Sequence, residues 1–280
     1  MRVLSLAGNI PGPLAAARFQ ALGAAICKVE PLGSDALAAA YPAWYATLHA
    51  GQDVIRLNLK DAADRARLDP LLVAADLLIT ASRPAGLARL GLVWNDLHAA
   101  YPDLCQVAIV GHSAPEVDRP GHDLTYQAAA GLLAPPALPR ALLADLAGAE
   151  RTVAVALALL LARQRGQGSG YQEVPLAGIA KDFAAPLLYG LTAPGGLLGG
   201  GLPSYNIYPA QDGWVALAAL ERGFLQRLQH ALNIAEITHS ALADIFRTQP
   251  AQTWEQWAIT HDLPLVAVHN PTASVDHSSY

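Results

Sequence analysis

Short apolar runs separated by amphipathic segments set the rhythm of this chain. Residues 2–7 (RVLSLA), 25–29 (AICKV), 54–58, 76–80 (DLLIT) and 104–109 (LCQVAI) read as buried strands bounded by polar or turn-forming residues. Between the first two lies PGPLAAARFQALG, with Pro at a helix start, Gly at its end and apolar residues at helical spacing. Residues 61–74 form a further helix ahead of DLLIT. Strands alternating with helices predict an α/β fold, a Rossmann-like parallel sheet with helices on both faces. No G-x-G-x-x-G follows the first strand, so the pattern does not point to a nicotinamide or flavin site. Phosphates can still bind at a helix N-terminus without that motif.

Asp145 opens a long apolar helix that runs to the basic, glycine-rich turn RQRGQGSG. The short strand YQEV and a helix over 176–189 follow. The next stretch, GLTAPGGLLGGGLPSYNIY, holds six glycines and two prolines and is predicted as a non-helical loop between two domains. A large Rossmann-like domain is therefore expected over 1–190 and a smaller α/β domain over 191–270. The smaller one opens with a strand at 214–218, then a helix from Glu221 and helices over 240–247 and 252–261. Residues 271–280 show no periodicity and are expected to be a loose tail.

The chain is 53% apolar and 15% charged, which excludes a chain disordered as a whole. Its net charge of −5 is scattered and forms no basic stripe, so no nucleic-acid partner is expected. Low charge with many Ala and Leu predicts a surface covered by a second subunit. The longest apolar run, 153–162 between Arg151 and Arg163, falls short of the roughly 20 residues of a membrane helix. Cys27 and Cys105 lie in strand-like runs and are expected to be buried free thiols. With no signal sequence recognisable, a cytoplasmic location is expected. The histidines show no ligand spacing, so no metal site is expected.

Three polar residues stand out on this apolar background: His122 in GHDLTYQAAAGLL, Asp145 in ALLADLAGAERTV and Glu221 in WVALAALERGFLQRL. Each sits at or beside a helix start, where α/β proteins present side chains to ligands. An imidazole and two carboxylates around one pocket could remove a proton on one face of a carbon and return one on the other. Simpler structural roles stay open. His122 could merely precede a helix capped by Asp123, Asp145 could be an N-cap, and Glu221 could answer a helix dipole. His112, in VGHSAPEV after the fifth strand, is a lesser candidate for ligand contact.

The run GNIPGPLAAARFQALGAAICKVEP resembles the opening of the family III coenzyme A transferases (CaiB/BaiF type). LNLKDAADRARLDPLLVAADLLITASRPAGLARLGL, GHDLTYQAAAGLL, the Asp145 helix, GGLLGGGLPSYNIYPAQDGWVALAALERGFLQRL and TWEQWAITHDLPLVAV follow in the family's order. The resemblance implies an acyl-CoA enzyme, with a coenzyme A thioester as substrate, no prosthetic group, and a homodimer. In the family's transferases the Asp matching Asp145 is a nucleophile that forms an acyl anhydride. The α-methylacyl-CoA racemase branch is more similar, through the His of GHD and the Glu of ALERGF. It implies that His122 and Asp145 exchange protons with the carbon beside the thioester, supported by Glu221, on a 2-methylacyl-CoA. Backbone N–H groups at the start of the Asp145 helix are the expected donors to the enolate oxygen. Leu59, Lys60, Ser82, Arg83, Arg89 and Leu90 match the family's CoA-binding positions, and Asn9, Ile10 and Pro11 would lie near the acyl end.

The chain also departs from that pattern. No Arg follows PLGSD, no Lys or Arg occurs in LHAGQDV, and Ala81 and Ser82 replace an Asn-Phe pair. The family's long C-terminal return is mostly missing after Val268. At about 1.5–3 kcal/mol per charged hydrogen bond, these changes predict weakened or altered CoA binding. CoA transfer through Asp145 and a shortened, non-catalytic paralogue therefore stand as alternatives to racemisation.

Overall fold

The computed structural model describes residues 1–33 and 35–269, and the tail expected to be loose lies outside the described residues. The chain divides into two compact units at Ala184 and Ala185. The first unit opens with β1 (Arg2–Ser5), α1 (Pro11–Ala21), β2 (Ala25–Glu30), α2 (Ala36–Ala40), α3 (Pro42–His49) and β3 (Asp53–Arg56). Next come α4 (Ala62–Ala74), β4 (Leu77–Thr80), α5 (Pro84–Arg89), α6 (Trp94–Ala100) and β5 (Cys105–Val110). It closes with α7 (Asp123–Ala129), α8 (Leu143–Ala162), β6 (Tyr171–Pro175) and α9 (Leu176–Phe183).

All six strands pair in parallel, in the order β3-β2-β1-β4-β5-β6. β4 and β5 are buried along their whole length, which is why they read as unbroken apolar runs rather than alternating ones. Strand geometry sends successive side chains to opposite faces. Val3, Leu77, Ile79 and Val107 pack with Leu14 and Phe19 of α1 and Val153, Ala156 and Leu160 of α8. Leu4 and Leu78 pack instead with Leu68 and Leu72 of α4, Leu87 of α5 and Leu97 of α6. Fully burying each such side chain is worth about 1.5–3 kcal/mol.

The helix boundaries have local causes. Pro11 occupies the first turn of α1, and Asp61 caps α4 by accepting from the N–H groups of Ala63 and Asp64. The helices α2, α3, α5 and α6 are too short to show a clear periodicity in the sequence. The strand order carries the functional consequence. From β1 the chain leaves toward β2, and from its neighbour β4 toward β5, so the loops beyond the two strands diverge and open a crevice.

The second unit contains α10 (Ala185–Leu188), β7 (Tyr205–Ala210), β8 (Gly213–Ala218), α11 (Arg222–Leu232), α12 (His239–Phe246), α13 (Ala251–Thr260) and β9 (Leu265–Ala267). Its sheet is antiparallel, in the order β7-β8-β9, over a core that includes Val215, Leu228, Leu242, Phe246 and Trp254. The glycine-rich stretch was expected to be loop through Tyr208, whereas β7 already begins at Tyr205. Pairing of Tyr208 with Val215 buries the tyrosine against Phe246 and overrides the local turn signal.

Candidate active site

A cleft of about 230 Å3 opens at the carboxyl ends of β1, β4 and β5. Asn9 and Pro11 reach it from the loop after β1, Ser82 and Arg83 from the loop after β4, and Gly111 from the end of β5. His122, Tyr126 and Asp145 complete the wall. Asn9 adopts a left-handed φ of 59°, a conformation Asn tolerates better than most residues. His122 precedes α7 in extended conformation, and its N–H donates to the Thr125 hydroxyl at 3.0 Å.

Asp145 is the third residue of α8 rather than its cap, because the helix begins at Leu143. The capping carboxylate comes from α7. Asp123 is 3% exposed, and its Oδ1 accepts from the N–H groups of Ala144 at 2.7 Å and Asp145 at 3.1 Å. Its other oxygen accepts from the Gln127 amide. Asp123 therefore does not cap its own helix. The N–H groups at the start of α8 that were expected to meet an enolate oxygen are already engaged at Ala144 and Asp145. Burial, then the neighbouring Asp123 charge, pushes the Asp145 carboxyl up to about 6, with His122 acting in the opposite sense.

Tyr126 lies beneath the same wall because Gly111 and Gly121 leave room for it. A Cβ on Gly111 would come within 2.6 Å of the Tyr126 hydroxyl, and one on Gly121 would strike the ring. Burial, with Asp145 nearby, raises the Tyr126 phenol above its ordinary range. His112 does not line the cleft. It packs edge-on against Tyr126, with ring centroids 5.4 Å apart.

A second cavity of about 540 Å3 lies beside the first and shares Ser82 with it. Leu59, Lys60 and Leu90, three of the expected CoA positions, line it together with Glu30. Behind Glu30 is a buried ion cluster. Lys28, 1% exposed, places its Nζ 2.8 Å from Asp35, 3.2 Å from Glu30 and 2.9 Å from the His49 ring. Asp35 also caps α2 through the Leu37 N–H, so the cluster ties the loop after β2 to the sheet. Removing the ammonium would take the buried positive charge away from two buried carboxylates, which is strongly destabilising.

The expected site residues thus separate. His122, Asp145, Asn9, Pro11, Ser82 and Arg83 share the smaller cleft, and Leu59, Lys60 and Leu90 the larger cavity. Ile10 is instead packed against the core, and Arg89 turns back to the Ala85 carbonyl on its own helix, lining neither space. Glu221 is exposed at the residue before α11, in the second unit. Among the described residues, no three His, Cys, Asp or Glu side chains are grouped to hold a metal ion. Likewise no helix is long and apolar enough to cross a membrane. Sequence reasoning missed Asp123, buried against the start of α8, and Tyr126 in the wall. The first could have been suspected from a carboxylate directly following His122, but nothing local shows that it serves α8.

A profile of the CoA-transferase family III matches residues 1–280. A succinyl-CoA–D-citramalate CoA-transferase of Chloroflexus aurantiacus is 27% identical over 85% of this chain and 65% of its own length. The α-methylacyl-CoA racemase of Mus musculus is 28% identical over 84% of this chain and 64% of its own. The chain thus spans about two thirds of the length of these relatives. The crystal structure of a hypothetical protein from Mycobacterium tuberculosis superposes with a TM-score of 0.84 at 23% identity, covering 96% of this chain and 82% of that one.

Proposed function

The chain belongs to CoA-transferase family III, and we propose that it moves a proton at the carbon beside the carbonyl of an acyl-CoA thioester. The observation that carries this reading is the shared cleft: His122 and Asp145 line one wall-bounded space of about 230 Å3. A carboxyl pushed up to about 6 is a stronger base than an ordinary aspartate and exchanges protons near neutral pH. In one direction the Asp145 carboxylate takes the α-proton, leaving an enolate, and the His122 imidazolium returns a proton to the opposite face. In the other direction the roles exchange. The substrate class is a 2-methylacyl-CoA, with the nucleotide end in the cavity lined by Leu59, Lys60 and Leu90. The functional unit is a homodimer.

CoA transfer between carboxylic acids is the second reading. It is favoured by the similarity to relatives named as CoA-transferases, and by Asp145 being substantially ionised at neutral pH. There Asp145 attacks the thioester carbonyl, releasing the CoA thiolate and leaving an acyl anhydride. Incubation of a 2-methylacyl-CoA in deuterium oxide separates the two. Deuterium entering the α-carbon, with inversion abolished by His122→Ala, is the expected result. No exchange, with acyl-Asp145 trapped by hydroxylamine, establishes transfer. Neither exchange nor trapping nor binding of a CoA ester would make the chain a non-catalytic paralogue.

A further inference from the structure

Three cavities along the large sheet have Ser82 in their walls. The third, of about 310 Å3, is walled by Trp94, Gln106, Tyr171 and Glu173. It shares Ser82, Pro84 and Val110 with the wall of the cleft of His122 and Asp145 and adjoins it there. At the ~30 Å3 a liquid water occupies, it has room for on the order of ten non-hydrogen atoms.

Its chemistry is set by an unmet need. Gln106 is 1% exposed, and its side-chain oxygen is buried with no hydrogen-bond partner. The strand register explains this: Gln106 pairs with Leu78, which packs among the leucines of α4, α5 and α6. Those leucines offer no side-chain donor, and on the other side Tyr171, paired with Gln106, donates its hydroxyl to Glu173. The hydroxyl oxygen of Thr80, paired with Ala108 in the same register, is also buried without a partner. Unmet buried acceptors are uncommon and costly. Beside Gln106 stands the Glu173 carboxylate, which accepts from the Tyr171 hydroxyl at 2.8 Å. Trp94 stacks on Tyr171 with centroids 5.9 Å apart and forms the apolar side.

We propose that this cavity opens into the adjoining cleft, receives the far end of the acyl group and selects an acyl chain ending in a neutral hydrogen-bond donor, a hydroxyl or amide N–H. Gln106 accepts that donor, the aromatic pair covers the chain, and Glu173 repels an acyl group ending in a carboxylate. The assignment rests on the acyl-CoA reading above and extends it to the substrate's distal end.

Calorimetry with pentanoyl-CoA, its ω-hydroxy derivative and glutaryl-CoA tests it on the intact chain. The hydroxylated ester is expected to bind about five- to tenfold more tightly than pentanoyl-CoA, with glutaryl-CoA the weakest of the three. Gln106→Leu should erase the preference for the hydroxyl, and Glu173→Gln, at a part-exposed position, should strengthen glutaryl-CoA alone. If the parent binds all three esters alike, or each variant changes all three equally, the distal pocket is wrong while the acyl-CoA reading stands. If the parent binds none of them, both fall together.

Discussion

Asp145 shows how the place of a side chain can be legible in the sequence while its setting is not. Its place at the head of an apolar helix is visible in LLADLAGAE, but its titration depends on Asp123, twenty-two residues earlier. Burial and the Asp123 charge favour the protonated form, so the folded chain holds that proton more tightly than the unfolded chain does. The stabilisation from this group is complete below the ordinary Asp range and is lost as pH rises through about 6. Asp145→Asn, which cannot ionise, should gain on the parent by about 1 kcal/mol between about pH 5 and pH 8, after discounting for solvent screening. Urea denaturation at the two pH values measures it, and a constant difference would contradict the assignment. Asp123→Asn removes one cause of the raised value. The acid limb of α-proton exchange should then move to lower pH, and an unmoved limb would mean that Asp123 does not act on Asp145 through its charge.

At the scale of elements, the long helices and central strands were legible because each carries its own period. α4, β4 and β5 follow directly from the order of their residues. Other boundaries were not local. α8 starts at Leu143 because a carboxylate from α7 receives its first N–H groups, and β7 extends into a glycine-rich stretch because β8 pairs with it. Close contact between elements is equally hidden. A Cβ on Gly12, in the first turn of α1, would lie 2.8 Å from the Ala7 carbonyl oxygen. Intrinsic propensity would favour Ala in a helix by about 1 kcal/mol. Here the obstacle is backbone, which cannot rotate away, so Gly12→Ala should destabilise by about 1–3 kcal/mol. A urea midpoint that rises instead would show that the loop carrying Asn9 yields.

Across the whole molecule, the apolar composition continues onto the surface. Leu146, Leu157 and Leu161 lie along one side of α8 and are 40%, 43% and 46% exposed, with Phe183 of α9 at 50%. Spaced at helical intervals, they form a stripe of the kind that a partner subunit covers. Sedimentation at micromolar concentration should find a dimer, and Leu157→Glu should shift it toward monomer. A parent that sediments as a monomer would remove the homodimer from the functional reading.

The order of residues alone was enough for the α/β class and for the strands that are buried on both faces. It also named His122 and Asp145, and some of the other residues that line the two cavities. These depend on local period, on turn chemistry and on motifs in a fixed succession, all of which survive in one dimension. The partnership of Asp123 with the start of α8, the buried Lys28 cluster and the unmet acceptor at Gln106 came only with the folded chain. Each depends on which strand lies beside which and on how much water is excluded there, and spacing along the chain encodes neither.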